Sequence, residues 1–509
     1  MAREIVGIIF GETSPFEFKF AVSDVETKRS DYVKVSHNSR WVLAQVVAIT
    51  ISSDVLSLDA AISAASGKRI GDTEEKIVAK AIVIGSKDKN GLLRTPKTPF
   101  SPGDKVYKAD HSLIKKTLGL ASGDAYIGLL EGSDIQVRID VNKLVQHHCS
   151  ILAKTGSGKS YTAGVIIEEL IEKGVPLLII DPHGEYTSLK GVNRNKDDNI
   201  LMERFGLLPR GYDSVITFTP SNLTLNQVAD EVFRLDGVNL SAKMLSQLMP
   251  SLTNTQIGVL YRSVRRVMAH NEFYTIEDIL AEVSGDNSNA KWNVIDALES
   301  LRDMGIFSDS PTVIDDLMQK GKTSIIDMRG VDPDLKDIVV SMICGELWEA
   351  RKIGRVPPGM LIIEESHEFC PEKGYGKTAS SNIIRTIASE GRKFGLGLMV
   401  ISQRPARIDK NVLSQCHTQI ILRITNANDL RALTKGLEGI STELEEEIKR
   451  LPPGVALLVS DDIERPISVD IRVRRSAHGG ESISILDEED SEEAHESLIT
   501  SIFRRSERD

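Results

Sequence analysis

The sequence predicts an α/β protein whose main domain is built on a mostly parallel β-sheet, preceded by a small β-barrel and interrupted by a helical subdomain. Three observations support this fold class. Short β-like runs fill the first 138 residues, apolar strands alternate with helices from residue 139 onward, and amphipathic helices without a clear strand occupy residues 225–320. Alternating strands and helices are typical of a parallel sheet that helices cover.

Residues 1–138 predict the small barrel, because turn residues separate their short β-like runs. The predicted strands are 5–10, 16–22, 32–36, 41–50, 81–84 and 105–107. A helical stretch is expected to interrupt them at about residues 73–80.

Residues 139–475 predict the main domain, and residues 476–509 form a C-terminal tail. The expected strands are 150–153, 176–181, 215–219, 323–327, 360–363, 396–402, 419–424, 455–460 and the extended run 468–475. The tail is rich in Gly, Ser and acidic residues, and apolar pairs at 498–499 and 502–503 suit a short helix docked on a partner.

The most informative motif is Ala-Lys-Thr-Gly-Ser-Gly-Lys-Ser at 153–160, between a buried strand and an amphipathic helix. A Gly-rich turn in this setting forms a phosphate cradle from backbone N–H groups and the positive end of the helix. Lys159 is expected to reach the β- and γ-phosphates, and the Ser160 hydroxyl to bind Mg²⁺. Ala153 replaces the usual first Gly and fits if its φ is not positive. The predicted nucleotide-binding residues are Lys154, Thr155, Gly156, Ser157, Gly158, Lys159, Ser160 and Tyr161.

Two consecutive carboxylates end the predicted strand 360–363. Hydrolysis of a triphosphate needs one carboxylate near Mg²⁺ and another that orients the attacking water. Both side chains reach the crevice above the phosphate loop, because ligands bind at the carboxyl ends of parallel strands. We assign Glu364 to the Mg²⁺ shell, through a longer arm than the usual Asp, and Glu365 to the water. The motifs together predict a RecA-like P-loop ATPase core that uses ATP and Mg²⁺.

Two further strand ends carry polar residues on the same side of the sheet. Gln403 follows the strand 396–402 and has both a donor and an acceptor for water and the γ-phosphate, although an amide that caps the loop is the alternative. Asp-Pro-His-Gly-Glu-Tyr at 181–186 follows another strand. Asp181 is a candidate for the Mg²⁺ water shell. His183 or Glu185 is a candidate for the nucleotide or DNA face, although a structural role is the alternative for His183.

An arginine finger is also expected, because it neutralises transition-state charge and accelerates hydrolysis by ~10³–10⁵-fold. Arg392 is expected at a turn between a helix and the strand 396–402, a position from which it could project into the site of a neighbouring subunit. Arg404 and Arg407 are competing candidates. The alternative for Arg392 is a cation that only interacts with the carboxyl end of its helix.

Composition sets the remaining limits. The net charge is −11, but residues 481–509 alone carry −7, so a locally basic DNA-binding surface stays compatible with the rest. The four cysteines are far apart and form no Cys-x-x-Cys pair, which favours buried thiols in a reducing compartment. No apolar stretch is long enough to cross a bilayer and no signal peptide is recognisable, so we expect a cytoplasmic protein without a membrane partner.

The ordered set of motifs resembles the HerA family of archaeal hexameric DNA translocases, in the HerA/FtsK superfamily. The motifs are the phosphate loop, 181–186, Glu-Glu-Ser-His at 364–367, Glu-Gly-Arg-Lys-Phe-Gly-Leu-Gly at 390–397, Ser-Gln-Arg-Pro at 402–405 and Arg-Val-Arg-Arg-Ser-Ala-His-Gly-Gly at 472–480. No single motif is specific, but their order is. The resemblance covers nearly the whole chain, including a barrel similar to that of rotary ATP synthase subunits.

The resemblance implies a ring of six subunits with ATP at each interface and double-stranded DNA in the central pore. It also implies a translocase or helicase that acts with a NurA-type nuclease, which docks on the barrel face. Together they would resect DNA ends for recombinational repair, alongside a break-processing nuclease complex. By motif, the residues that serve their own subunit's site are Lys159, Ser160, Glu364, Glu365 and Gln403. Arg392 matches the finger given to the neighbour, and the stretch after Arg475 is expected to brace a neighbour.

The loop at 370–380 directly follows the strand that carries the two glutamates, and it contains two lysines among glycines. We expect Lys373 and Lys377 to follow the DNA phosphates without reading bases, although solvated lysines on a mobile loop are the alternative. Two other functions share the same ATP chemistry. One is a ring that translocates protein, such as an unfoldase or secretion-type motor, and the other is a scaffold that uses ATP only to assemble.

Overall fold

The computed structural model describes residues 5–23, 26–53, 62, 65, 75–120, 123–249, 251–436 and 442–479. The apolar pairs at 498–499 and 502–503 therefore lie outside the described residues. No helix in these ranges is both long enough and apolar enough to cross a lipid bilayer.

The predicted barrel is present at the amino-terminal end. Its strands are β1 (Ile5–Phe10), β2 (Glu17–Val22), β3 (Tyr32–His37), β4 (Arg40–Ser53), β5 (Glu75–Lys87), β6 (Leu93–Arg94) and β7 (Lys105–Lys108). The strand order is β2-β1-β7-β3-β4-β5-β6, and an additional pairing of β2 with β5 closes six of these strands into a ring. Alternate side chains point inward, including the buried Phe18, Phe20, Val33 and Val35.

The helix expected at about residues 73–80 is wrong for the part that the structure describes. Residues 75–80 begin β5, which pairs with β2 on one side and β4 on the other. Ala79, Ala81 and Val83 alternate into the barrel core. Local preference for a helix in this Glu-, Lys- and Ala-containing segment is overridden, because two neighbouring strands pair with its backbone.

The main domain contains one sheet of twelve strands. Its strands are β8 (Ala125–Leu130), β9 (Gln136–Ile139), β10 (Cys149–Leu152), β11 (Leu177–Asp181), β12 (Val215–Thr219), β13 (Glu231–Val232), β16 (Thr323–Asp327), β17 (Gly359–Ile363), β18 (Leu396–Ser402), β19 (Thr418–Ile421), β20 (Val455–Val459) and β21 (Ile467–Ile471). The order is β13-β12-β16-β11-β17-β18-β10-β19-β20-β21-β8-β9. From β13 to β19 neighbouring strands are parallel, and the last four strands pair antiparallel, so the predicted mostly parallel sheet is confirmed.

The expected boundary after residue 138 needs a correction. β8 and β9 precede it or cross it, yet they extend the main sheet, since β8 pairs with β21 and with β9. Their short, turn-separated runs resemble those of the barrel, so the local pattern contains no signal of which sheet they join. The pairing is decided by Ile471 and its neighbours, far away in the chain.

Helices pack on both faces of the main sheet, and further helices form the insertion or contact the barrel. Those described are α1 (His111–Leu118), α2 (Val141–Gln146), α3 (Lys159–Glu172), α4 (Lys196–Phe205), α5 (Ala242–Leu248), α6 (Asn254–His270), α7 (Ile276–Ser284), α8 (Lys291–Asp303), α9 (Ile314–Leu317), α10 (Pro333–Lys352), α11 (Ser381–Phe394), α12 (Lys410–Leu413), α13 (Ala427–Gly436) and α14 (Thr442–Arg450). Strand alternation divides the core into two layers: Leu178 and Ile180 of β11 face one layer, and Leu177 and Ile179 face the other.

The inserted subdomain consists of α5 to α9 between β12 and β16. Capping boxes start α6 at Thr253 and α7 at Thr275, which supplies the first N–H groups of each helix with side-chain acceptors. The expectation that this segment lacks strands is wrong in detail. The two-residue β13 ends the main sheet, and β14 (Leu235–Asp236) pairs with β15 (Phe307–Ser308). Strands this short leave no recognisable period in the sequence.

The register places four strand ends together. Leu152 at the end of β10 pairs with Ser402 at the end of β18, and Ile363 at the end of β17 pairs with Ile180 of β11. These strands are parallel and adjacent, so the segments that follow them leave the sheet at one edge. This carboxyl edge collects the Gly-rich turn, the 181–186 turn, the glutamate pair and Gln403.

A buried ionic network fastens the end of the main domain to α3. Arg472 donates to Glu168 and Glu169, each at 2.8 Å, and its Nε donates to the Tyr126 carbonyl at 2.8 Å. Arg474 is also fully buried, and a Cβ at Gly164 of α3 would lie 2.7 Å from its guanidinium carbon. Buried ion pairs between Arg472 and two glutamates of α3 thus anchor the helix that follows the Gly-rich turn.

The described part of the C-terminal tail packs on its own subunit. The Ser476 N–H and hydroxyl both donate to Glu168, at 2.8 and 2.7 Å, and the His478 ring lies edge-to-face against Tyr161. Bracing of a neighbour by residues after 479 remains a prediction.

We expect Arg472→Ala to destabilise the protein by about 3–5 kcal/mol, because it leaves two buried carboxylates without their cation. The matched control is Arg204→Ala, which breaks a solvent-exposed pair with Asp470 and should cost below about 1 kcal/mol. Urea unfolding monitored by circular dichroism gives a midpoint for each variant, from which the two losses of stability are obtained. Equal midpoints for the two variants would contradict the importance of this network.

Candidate active site

The Gly-rich turn connects β10 to α3 as a phosphate cradle would. Gly156 and Gly158 have φ of +75° and +89°, a left-handed conformation that side chains rarely adopt. Ala153 is not among the described residues with positive φ, so its methyl group is tolerated. The Lys154 N–H and the Ser157 hydroxyl donate to the Arg423 carbonyl at 3.0 and 3.2 Å, which anchors the turn to the segment after β19.

The Lys159 ammonium lies buried between two carboxylates. Its Nζ donates to Oε1 of Glu364 and, at 2.8 Å, to Oε1 of Glu365. Burial alone lowers the pKa of Lys159, but the two carboxylates outweigh burial and raise it above its ordinary value. The predicted glutamate pair and the predicted phosphate-binding lysine therefore meet at one point.

Glu365 has a strained backbone. It directly follows β17 with φ of +46°, although it is not a glycine. Such outliers persist where the surroundings hold them and are concentrated at functional sites. Burial raises the pKa of Glu365, but hydrogen bonds from His367 and Lys159 override it and lower the pKa to about 2. Glu365 is therefore ionised across the physiological range.

Two further contacts hold Glu365. His367 Nδ1 lies 3.2 Å from Oε2 of Glu365, and the Gln403 N–H donates to the same oxygen at 3.4 Å. The Thr155 hydroxyl in turn donates to the side-chain oxygen of Gln403. Gln403 thus bridges the Gly-rich turn and the glutamate, where a γ-phosphate would lie. The role of His367 was not predicted, because a His two residues after a catalytic candidate has no distinctive spacing.

The carboxylate of Asp181 orders the 181–186 turn. Asp181 is fully buried and accepts backbone N–H groups from Gly184 at 2.8 Å and Tyr186 at 3.0 Å. Burial raises the pKa of Asp181 to about 6. Its oxygens thus order the turn. His183 is exposed at the surface.

The Tyr186 hydroxyl donates to Oε2 of Glu364 at 2.5 Å, which fixes that carboxylate from the side opposite Lys159. Sequence reasoning missed this contact, because a buried tyrosine after a turn is more often part of the core. Burial and the charge of Glu364 raise the pKa of Glu185 to about 7. One Glu185 oxygen, Oε2, is buried without a hydrogen-bond partner among the described residues.

The site carries more negative than positive charge. Glu364 and Glu365 share one ammonium, and Glu185 lies close enough for their charges to interact. An unpartnered buried carboxylate oxygen beside them suits a hard cation, and carboxylates are the ligands that Mg²⁺ prefers. Among the described residues, the Ser160 hydroxyl makes no hydrogen bond and is half-buried at the start of α3. The donor set therefore fits a divalent cation.

The Tyr161 side chain points towards the C-terminal residues of the described chain. Its hydroxyl donates to Asp198 at 2.9 Å and accepts the Arg474 N–H at 2.9 Å. A cavity lined in part by Tyr161, Asn193 and His478 opens beside the first turn of α3.

Arg392 lies at the opposite edge of the sheet. It belongs to the last turn of α11, directly before β18, and is exposed. At about 3.3 Å per residue, β18 places Gln403 roughly 20 Å away from it. Among the described residues its side chain has no hydrogen bond or ion pair. Arg392 therefore does not reach its own Gly-rich turn.

The two competing arginines lie near their own site. Arg404 is exposed and directly follows Gln403 on the carboxyl edge. Arg407 places its guanidinium 5.5 Å from the centroid of the Tyr375 ring, in the loop that bears Lys373 and Lys377.

The loop at 370–380 has a clamped base and an exposed tip. Asp337 accepts the N–H groups of Ala379 at 2.6 Å and Ser380 at 3.1 Å, and Glu372 accepts both N–H and Nζ of Lys410 at 3.0 Å. Between these clamps Lys373 and Lys377 are exposed. The loop holds both lysines in solvent, close in sequence to the glutamate pair.

The Gly-rich turn, the lysine between two carboxylates and the parallel sheet behind them define a P-loop ATPase, an ATP-hydrolysing enzyme. Residues 125–347 match the family model described as "Helicase HerA, central domain". This match confirms the resemblance to the HerA family that the motifs show.

Relatives match over most of the chain. The "DNA double-strand break repair helicase HerA" of Pyrococcus furiosus is 28% identical over 95% of this chain and 96% of its own. A "probable helicase" of Methanocaldococcus jannaschii is 28% identical over 95% of this chain and 94% of its own. The "DNA double-strand break repair helicase HerA" of Sulfurisphaera tokodaii is 28% identical over 95% of this chain and 96% of its own.

Solved structures with a similar arrangement include VirB4 of Thermoanaerobacter pseudethanolicus, at a TM-score of 0.48 and 17% identity over 69% of this chain and 96% of that chain. Another is the plasmid coupling protein TrwB, at a TM-score of 0.47 and 12% identity over 74% of this chain and 95% of that chain.

Glu365→Gln is expected to slow ATP hydrolysis by about 10²–10⁴-fold, because it would remove the carboxylate predicted to activate water. Nucleotide affinity should change little, since Lys159 and the Gly-rich turn stay in place. The matched control is Glu368→Gln, an exposed carboxylate three residues along the same turn. Phosphate release and binding of a fluorescent ATP analogue measure the two quantities. Equal turnover in both variants would exclude Glu365 as the base.

Proposed function

We propose that this HerA-type ATPase works as a ring of six identical subunits that moves along double-stranded DNA, with ATP bound at each subunit interface. The observation that carries the proposal is the position of Arg392. It is exposed and unpaired among the described residues, and roughly 20 Å of strand separates it from its own site. A finger arginine at that edge acts only on the site of a neighbouring copy.

The side chains divide the ATP chemistry between them. Lys159 would leave the two glutamates and bind the β- and γ-phosphates. Ser160 and Glu364 would hold Mg²⁺, which would neutralise phosphate charge. Glu365 orients and deprotonates the attacking water. Gln403 senses the γ-phosphate from its bridge between Thr155 and Glu365.

The loop tip carries the DNA contacts in this proposal. Lys373 and Lys377 bind backbone phosphates, which requires no base recognition and suits a motor that passes over any sequence. The loop begins five residues after Glu365, and its base is fixed by Asp337 and Glu372. A change in the Glu365 turn on release of the γ-phosphate is therefore transmitted to the lysines.

Action in DNA end resection and recombinational repair, with a NurA-type nuclease and a break-processing nuclease complex, belongs to the same proposal. Its support is the family resemblance and the relatives whose names describe double-strand break repair helicases. The closed barrel is the expected docking face for the nuclease.

Mixing two inactive variants tests whether Arg392 acts as an arginine finger on a neighbouring subunit. Arg392→Ala and Lys159→Ala are each expected to lose ATP hydrolysis, by about 10³-fold or more for the finger variant. A mixture of the two should recover a measurable fraction of the activity, because an intact phosphate loop then meets an intact arginine from its neighbour. Arg404→Ala mixed with Lys159→Ala serves as the comparison. If the Arg392→Ala mixture stays inactive although mass photometry shows mixed rings, the assignment of Arg392 is wrong.

The loop lysines are tested by DNA affinity. Lys373→Ala/Lys377→Ala should weaken duplex binding for all sequences alike and remove DNA stimulation of ATP hydrolysis. The slope of log affinity against log salt should become shallower, by about 0.9 for each phosphate that a lysine no longer neutralises. The control pair is Lys243→Ala/Lys320→Ala, exposed lysines of the helical insertion and the segment that follows it. An unchanged salt slope in the loop variant would contradict the proposed role of the two lysines.

The protein-translocating ring remains the alternative because its ATP site would be identical. Tyr375, 56% exposed at the loop tip between two glycines, is the observation that favours it. ATP turnover with duplex DNA and with an unfolded polypeptide, on assemblies of measured mass, separates the two functions. A DNA motor is stimulated by the duplex alone. A scaffold that uses ATP only to assemble shows no stimulation by either polymer.

A further inference from the structure

Two histidines and one aspartate meet at the edge of the main sheet opposite the ATP site. His147 ends α2 just before β10, His417 directly precedes β19, and Asp461 follows β20. The His417 N–H donates to the His147 carbonyl at 3.0 Å, which holds the first two segments side by side. Three segments distant in sequence thus converge here.

The side chains point their ligand atoms at one place. Asp461 Oδ2 lies 3.2 Å from Nδ1 of His147 and 2.7 Å from Nδ1 of His417. One ligand atom from each residue lies within 4.8 Å of the other two, and the two rings are edge-to-face with centroids 5.2 Å apart. Metal–ligand bonds of 2.0–2.2 Å in a tetrahedron separate neighbouring ligand atoms by roughly 3.4 Å. The cluster is close to that spacing.

We propose that His147, His417 and Asp461 form a site for a divalent transition metal of the zinc type. Imidazole nitrogens with one carboxylate are a ligand set that zinc takes, with the fourth position left to water or to another ligand. The His147, His417 and Asp461 side chains are 19%, 41% and 54% exposed, so the fourth position faces solvent.

The site is separate from the predicted Mg²⁺ site in place and in chemistry. The histidines lie at the amino-terminal ends of β10 and β19, whereas Ser160 and the glutamates lie beyond the carboxyl ends. Magnesium prefers oxygen ligands and octahedral geometry, so it competes poorly for two imidazoles. The four cysteines are buried and so offer no competing thiolate at the surface.

The bound metal would hold the edge from which Arg392 projects. His148 follows the first ligand, and its Nε2 lies 3.0 Å from the Ala388 carbonyl of α11. A Cβ at Gly391 would lie 3.5 Å from the same ring. The helix turn that carries Arg392 therefore rests on the residue next to the metal. Only this consequence, and not the metal site, depends on the proposed role of Arg392.

The test uses full-length protein stripped with a chelator and kept in millimolar Mg²⁺ without nucleotide, so that oxygen-rich sites are filled. Titration with Co²⁺, followed by visible absorption, should show one ion per chain with the strong bands of four-coordinate cobalt. Zn²⁺ should displace it. His417→Ala and Asp461→Asn should each weaken binding by more than about tenfold, the loss that even an outer-shell change causes.

His111→Ala, an exposed histidine of the segment that precedes the main sheet, is the matched control and should bind as the wild type does. Thermal unfolding with and without Zn²⁺ gives a second measurement, because an ion bound only by the folded state raises the midpoint. That shift should appear in the wild type and in His111→Ala, and be absent from Asp461→Asn. Absence of Co²⁺ binding by the wild type, or equal binding by all four proteins, would overturn the proposal and leave a hydrogen-bonded His–Asp–His cluster. Failure of the ATPase proposals would not change either readout.

Discussion

The active edge depends on one shared cation. Among the described residues, Lys159 is the one cation that contacts both Glu364 and Glu365, and two buried carboxylates without it would be costly to desolvate. The same ammonium is needed by the phosphates. In the proposed mechanism, nucleotide would therefore compete with the glutamates for Lys159, and a divalent cation would restore the neutrality that the glutamates lose. Binding of nucleotide would thus be coupled to rearrangement of the glutamate pair.

A second group of buried charges, formed by Arg472 and two glutamates of α3, keeps Lys159 in position. α3 begins at Lys159, and its opposite face bears Glu168 and Glu169, which Arg472 joins to the Tyr126 carbonyl of β8. The helix cannot slide without breaking buried ion pairs. The Ser476 contacts extend this anchorage into the tail. The antiparallel strands added to the parallel core therefore stiffen the site, although the Gly-rich turn and the glutamate pair lie on other segments.

Sequence reasoning succeeded where a local pattern decides the structure. Gly156, Gly158 and the apolar strands mark the sheet and the turn unambiguously, because backbone conformation and burial there follow from neighbouring residues. It failed at β5 and at β8, because pairing with strands distant in sequence determines their structure. The local hydrophobic pattern contains no information about such a distant partner. The contacts of Tyr186 and His367 were not predicted for the same reason. Their roles arise from contacts across separate strand ends, and a single sequence carries no record of such proximity.

The ends of the main sheet have a consequence for how copies assemble. One outermost strand, β13, has two residues, and the other, β9, has four, while the barrel closes on itself through β2 and β5. Little backbone is available for a foreign strand to pair with. In the proposed ring, contacts between subunits would then be made by side chains, which a change of nucleotide would loosen and re-form. Subunits joined in this way would stay distinct, and the ring would avoid the irreversible growth that open sheet edges favour.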